Sequence, residues 1–161
     1  MISGDNIPIM ATKYWLVKSE PTTYSIDSLK SDKKTLWDGV RNYQARNFLK
    51  EMKKGDLVLF YHSVTEPIGV SGVAKVSKEA VPDPTQFDKK SDYYDPDSKK
   101  DAPRWFCPEL SFEKKFAKIV DRPSLVKDKK LSSMMLMQKG SRLSVTPVTK
   151  EEFTVITSKT K

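Results

Sequence analysis

Two apolar runs of strand length, residues 57–61 (LVLFY) and 68–76 (IGVSGVAKV), stand either side of a Thr65-Glu66-Pro67 break. Runs of that length around a proline-containing break read as two strands joined by a hairpin, so the chain is committed to building a sheet. Gly69 and Gly72 interrupt the second run, which marks a bulge or a place where another backbone comes close. With 161 residues and 37% hydrophobic content, the chain supplies one compact core and too little for two comfortable domains. A single domain over residues 13–157 is expected. Residues 1–12, with Gly4, Pro8 and no periodicity, read as a flexible leader, and residues 158–161 as a short basic tail.

The other elements follow from local chemistry. Residues 13–18 (KYWLVK) form a strand that stops at Ser19-Glu20-Pro21, where proline cannot continue a ladder. Ser25 caps a short helix over 26–31, and a brief extended segment ends at Trp37. Asn42 is the expected N-cap of a helix reaching about residue 53. Its buried stripe is Ala45, Phe48, Leu49 and Met52, at the i, i+3, i+4, i+7 spacing of one face. Residues 81–103, rich in Pro, Asp, Lys and Tyr, read as a long loop, and loops of that length are often functional. Residues 105–120 read as one long or two broken strands, 123–126 as a helical turn, 131–139 (LSSMMLMQK) as a helix ended by Gly140, and 142–146 as a short strand. Thr149 and Glu152 fit a capping box for a last helix to about residue 157. Strands curling around a core with a few short helices define an α+β fold with a small mixed barrel.

A formal net charge of +8 favours polyanionic partners. Nucleic acid comes ahead of membrane, because there is no basic amphipathic helix with a large apolar face and no run of about 18 apolar residues. The leader lacks the basic start and apolar stretch of a signal peptide, so a soluble, intracellular protein is expected. Cys107 and His62 are the only cysteine and histidine, which excludes an internal disulfide and leaves too few ligands for a Cys/His zinc site. No metal and no cofactor are expected. Lysine pairs such as Lys89-Lys90 and Lys99-Lys100 read first as solvated surface, whereas Arg41, Arg46, Arg104 and Arg142 all fall beside aromatic or polar clusters.

The densest mixture of chemistries is Trp37-Asp38-Gly39-Val40-Arg41-Asn42-Tyr43-Gln44-Ala45-Arg46-Asn47, where an amphipathic helix begins. That mixture suits the grip of a planar polar ligand. Free amides at a helix start, with Arg41, can hold a phosphate or a carbonyl oxygen, and Asn42 and Gln44 can make paired contacts to a base edge. The plainer reading has Asn42 only capping the helix and Trp37 filling the core. Lys18-Ser19-Glu20-Pro21 ends a strand and can turn polar groups toward a cleft, or be an ordinary strand-to-turn transition with Ser19 as cap. Phe60-Tyr61-His62-Ser63 ends another strand, and His62 there can be a base, a donor or a satisfied core residue. Residue types alone allow a hydrolytic arrangement of His62 with Ser19 or Ser63 and Asp38, but no G-x-S-x-G elbow supports it. Tyr93-Tyr94-Asp95-Pro96 and Arg104-Trp105 bracket the long loop with stacking faces and a guanidinium, and Ser141-Arg142-Leu143-Ser144 adds another. Aromatic faces flanked by cations are how proteins hold unstacked bases.

In this order, residues 15–21 (WLVKSEP), 37–48, 60–63 (FYHS), 82–87 (PDPTQF), 94–96 (YDP) and 142–145 (RLSV) resemble the EVE domain, and within it the thymocyte nuclear protein group. Together they span roughly residues 14–155. The resemblance implies a PUA-like fold, a curved mixed β-barrel surrounded by short helices and related to the YTH readers of methylated adenine. It implies a non-catalytic binding module that takes a modified base, typically a modified cytosine such as 5-methyl- or 5-hydroxymethylcytosine in DNA, flipped out into a pocket. Carried over residue by residue, Lys18, Ser19 and Glu20 form one wall. Trp37, Asp38, Gly39, Val40, Arg41 and Asn42 form the rim and floor, Tyr61, His62 and Ser63 the opposite wall, and Ser141 and Arg142 complete the pocket. Around residues 126–137 the resemblance fades.

The sequence is also compatible with two other functions: an RNA-binding PUA-like module for modified or structured RNA, and a hydrolase using Ser19 or Ser63 with His62. Arg46, Lys89, Lys90, Lys99, Lys100 and Arg104 are the candidates for the nucleic-acid backbone. A monomer acting on modified nucleic acid is expected, with no membrane partner and any effector protein supplied in trans. Its place would be the cytoplasm of a bacterium or the nucleus of a eukaryote.

Overall fold

A computed structural model describes residues 11–140 and 142–160. Six strands and four α-helices follow one another: β1 (Tyr14–Ser19), α1 (Ile26–Asp32), β2 (Lys34–Leu36), α2 (Tyr43–Glu51), β3 (Leu57–His62), β4 (Gly69–Pro82), β5 (Phe106–Asp121), α3 (Arg122–Lys127), β6 (Val145–Val148) and α4 (Lys150–Ser158). They make one mixed sheet in the order β2-β5-β4-β3-β1-β6. Only β1 and β3 run parallel; the other neighbours are antiparallel. Register shifts within β3–β4 and at four places along β4–β5 insert bulges that bend the strands. The class is α+β, and the curved sheet stays open between its edge strands β2 and β6.

Strand alternation divides the interior in two. Trp15, Val17, Val58 and Phe60 point to a first core closed by Ile26 and Leu29 of α1 and Ala45 and Leu49 of α2. Leu16, Leu59 and Tyr61 point to a second, closed by Leu125 of α3, Leu131, Met134, Leu136 and Ile156 of α4. Because β1 and β3 bury both faces, their sequences read as unbroken apolar runs. The caps expected from sequence are present: Ser25 on α1, Asn42 on α2, and a reciprocal Thr149–Glu152 box on α4.

Three elements differ from the sequence reading. β4 continues to Pro82, and a 3-10 turn at Pro84–Phe87 opens the long loop, which Gln86 staples through its amide to Asp83, Trp105 and Ser98. No helix runs over 131–139; 3-10 turns at Lys129–Leu131 and Met135–Met137 stand there. Ser132 returns its hydroxyl to the Lys129 carbonyl at 2.9 Å, the competition with the backbone that serine brings to helices. The last strand begins at Val145 and not at Arg142, and as an edge strand it tolerates Pro147, which lacks an N–H. Of the expected leader, residues 1–10 lie outside the described residues, as does Lys161 of the tail.

Candidate functional site

Parallel pairing brings the ends of β1 and β3 to the same place, with Ser19 opposite His62. Beyond them the two chains stay tied by the Ser63 N–H to the Ser19 carbonyl at 2.9 Å. At this end of the sheet opens a cleft of about 670 Å³, lined by Lys18, Ser19, Glu20, Trp37, Asp38, Gly39, Val40, Arg41, Ser63, Tyr93, Arg142 and neighbours. That size is within the usual range for small-ligand pockets. Three stretches far apart in sequence, 18–20, 37–41 and 63, thus line one cleft, together with Arg142.

Arg41 lies in the cleft wall, but its hydrogen-bonding capacity is already used. A guanidinium has five N–H donors. Nε donates to the Tyr93 carbonyl, one terminal nitrogen to the Val40 carbonyl and Asp83, and the other to Thr85 and again to Tyr93. This corrects the expectation that Arg41 grips an anion: it is a strut between the 37–41 segment and the long loop. Asp83 also accepts from the Gly39 amide at 2.8 Å and from Thr85. Burial works against its charge, but the bonds from Thr85, Gly39 and Arg41 outweigh it and hold the carboxyl below the usual range. Gly39, at φ 83°, has the Tyr93 ring so close that a Cβ would sit 2.8 Å from it.

The groups left free in the cleft have a different character. Asp38 enters no ion pair among the described residues, and burial, with the Asp83 charge, pushes its carboxyl up. The Lys18 ammonium is pulled down by burial and by the Arg122 charge. Neither Lys18 nor Arg142 has an acidic partner among the described residues. The cleft therefore offers two carboxylates without an ion-pair partner among the described residues, Asp38 and the exposed Glu20, two unpaired cations and the hydroxyls of Ser63, Ser144, Thr23 and Thr35, a set suited to a ligand with both donors and an anion.

Other expected wall residues sit elsewhere. Tyr61 faces the second core, 3% exposed, because it is one residue from Phe60 in a strand and so on the opposite face; Arg122 donates to its hydroxyl at 3.4 Å. His62 is buried behind the cleft, and its Nε2 accepts the Ile26 N–H at 3.1 Å. A backbone N–H can only donate, so the ring proton is on Nδ1, and Nε2 is not free to serve as base for Ser19, whose hydroxyl donates to the Tyr24 carbonyl. The Asn42 side chain accepts from the Ala45 N–H and only caps α2. Trp37 does line the cleft, but at 9% exposed it also belongs to the first core, edge-on to Phe60 and Tyr24. Ser141 lies outside the described residues.

Among the backbone candidates, Arg46 donates to the Arg104 carbonyl and lies over the Tyr43 ring, which stacks on Trp105. The Arg104 guanidinium stands 4.0 Å from Asp95. Lys89, Lys90, Lys99 and Lys100 are exposed on the long loop. Sequence reasoning missed Thr23, Tyr24, Thr35, Leu36 and Val64 in the cleft lining. Of these, Thr23 and Tyr24, polar and close to the Ser19 strand end, carried a sequence signal.

An open, curved mixed sheet with a polar cleft at its strand ends is the architecture of PUA-like α+β domains. The family model described as EVE domain matches residues 13–159, and the chain belongs to that family. Human thymocyte nuclear protein 1 is 42% identical over 91% of this chain and 73% of its own length. A crystal structure of a protein from Pseudomonas syringae shares 42% identity at a TM-score of 0.89, covering 92% of this chain and 99% of that one. The human THYN1 protein in complex with 5-methylcytosine containing DNA superposes at a TM-score of 0.88 with 38% identity, covering 93% and 98%. A YTH domain from Zygosaccharomyces rouxii shares the fold at a TM-score of 0.54 and 14% identity.

Proposed function

We propose that this domain is a non-catalytic reader that takes a modified cytosine, 5-methyl or 5-hydroxymethyl, flipped out of DNA into the cleft between the ends of β1 and β3 and the 37–41 segment. The observation that carries the reading is the pairing of that cleft, sized for a nucleoside and holding an unpaired carboxylate beside unpaired cations, with a relative of the same fold in complex with 5-methylcytosine containing DNA. The Asp38 carboxylate can accept from the exocyclic amine of cytosine, and Lys18 and Arg142 can take the phosphates on either side. Extrusion of a base costs a few kcal/mol, and contacts of this kind in the cleft offset it. The absence of a free base beside Ser19 supports binding without turnover. In a eukaryotic cell the reading places the protein in the nucleus.

The test is equilibrium binding of one short duplex carrying cytosine, 5-methylcytosine, 5-hydroxymethylcytosine or N6-methyladenine, with an RNA counterpart, at two salt concentrations. A preference for a modified cytosine in DNA that survives added salt is expected, and Asp38→Ala weakens the cytosine and modified-cytosine duplexes alike, since the exocyclic amine is common to both. Trp37→Ala is a poor probe because it opens the first core. Equal, salt-sensitive binding to every duplex would overturn the reading, and preference for the RNA would replace it with an RNA-binding one.

A further inference from the structure

Val64 stands at the lip of the cleft, on the turn that leaves β3. Two features set it apart. Its backbone is at φ 70°, a region in which a β-branched residue is an outlier. Around it the Thr65 N–H bonds the Ser63 carbonyl at 2.7 Å, which closes a three-residue γ-turn of the rare positive-φ form. Its side chain is also 70% exposed, the most exposed of the large apolar residues described.

Both features are unfavourable for the folded domain alone. The strain would vanish with glycine or ease with asparagine, and an isopropyl group gains nothing from water. The turn is held in place from both sides, by Ser63 N–H to the Ser19 carbonyl before it and by Arg122 N–H to the Ile68 carbonyl after it. A strained conformation fixed by its surroundings beside a binding cleft is where a functional group is presented.

We propose that Val64 is the apolar wedge of this domain, inserted into the base stack at the place the flipped nucleotide vacates. The inference rests on the flipped-base reading of the same cleft. An extruded base leaves a gap whose flanking faces are apolar, and proteins that open a stack fill it with an aliphatic side chain. Val64 meets the requirements of position, exposure and rigidity. Lys18 and Arg142 in the same cleft lining can hold the strand on either side.

The test pairs V64G with V64L, each measured on a duplex with one 5-methylcytosine and on the same strand alone. V64G relieves the backbone strain, so its Tm rises, while its duplex affinity falls about tenfold, the order expected from losing one buried aliphatic side chain. Its affinity for the single strand stays within about twofold of the wild type, because no stack has to be opened there. V64N, also suited to positive φ but polar, repeats the loss, and V64L keeps duplex binding. A 2-aminopurine beside the modified base brightens with the wild type and less with V64G. Unchanged duplex affinity in V64G, or equal losses on duplex and single strand, overturns the wedge while leaving the reader intact. A wild type with no preference for 5-methylcytosine in either substrate overturns the reader, and the wedge with it.

Discussion

Arg41 donates to Asp83 at 3.0 Å across 42 residues of sequence, with the Asp83 side chain wholly buried. This contact fastens the long loop to the floor of the cleft. Removing Asp83 would strand a guanidinium, the Gly39 amide, and the Thr85 amide and hydroxyl. Asp83→Ala is therefore expected to cost about 3 kcal/mol in urea melts at neutral pH, since the loss includes the unpaired partners left behind. Asp83→Asn costs less, because one oxygen still accepts. Arg41→Lys behaves like a loss and not a conservative change, because three donors on one nitrogen cannot replace a five-donor fork. Because its folded carboxyl is held low, the contribution of Asp83 is present above the ordinary carboxylate value of about 3.9 and lost as pH falls through the lower folded value.

His62 makes a second pH dependence. Its Nε2 accepts the Ile26 N–H, so a protonated ring would set two donors against each other. Burial, the largest cause, lowers its pKa; the Asp27 charge opposes this and Lys115 reinforces it. A histidine held neutral in the fold takes up its proton more readily when unfolded, so its stability contribution is full above about 6.5 and is lost as pH falls below it. Urea melts from pH 8 to 5 should show this decline, no steeper than about 1.4 kcal/mol per pH unit from this single group. His62→Gln removes the slope. A variant that keeps the wild-type slope would assign it elsewhere.

Much of this was legible in the sequence where local chemistry decides. Ser25, Asn42 and Thr149 cap the helices they were expected to cap, because a short side-chain oxygen beside a helix start has one favourable use. The strand ends at Ser19 and His62 were legible too, and their meeting needed only parallel pairing. What failed was facing and occupancy. Tyr61 and His62 adjoin Ser63 in sequence, but strand alternation sends Tyr61 to the second core. Arg41 lines the cleft as expected, but only the folded long loop shows that its donors are used. The apolar pattern of residues 131–139 suits a helix and two buried 3-10 turns equally well. Positive φ at Val64 has no sequence signature at all, since valine gives no sign of it.

Gly39 and Gly55 offer a controlled comparison. Both have positive φ, 83° and 98°, but a Cβ on Gly55 meets nothing within 4 Å while one on Gly39 meets the Tyr93 ring at 2.8 Å. Gly55→Ala should cost only backbone strain, about 1 kcal/mol. Gly39→Ala should cost more, about 2 kcal/mol, and in addition should displace Tyr93 from the cleft and weaken modified-base binding. Thermal melts and binding on both variants check this. Equal costs with unchanged binding would show that Tyr93 yields freely and does not shape the cleft.

Lys18 and Arg142 are the cleft cations without an acidic partner among the described residues, so they are free to neutralise phosphates. Each neutralised phosphate contributes about 0.9 to the slope of log affinity against log salt. Lys18→Gln and Arg142→Gln should each shallow that slope by about 1, and should weaken modified and unmodified duplexes by the same factor, since a phosphate carries no base identity. Asp38→Ala should act differently, leaving the slope near the wild-type value while weakening cytosine and modified-cytosine duplexes, since the exocyclic amine is common to both. Binding isotherms at four salt concentrations separate the two behaviours. If Arg142→Gln lowers the preference and leaves the slope alone, Arg142 contacts the base, and the phosphate path runs instead through the exposed lysines of the long loop.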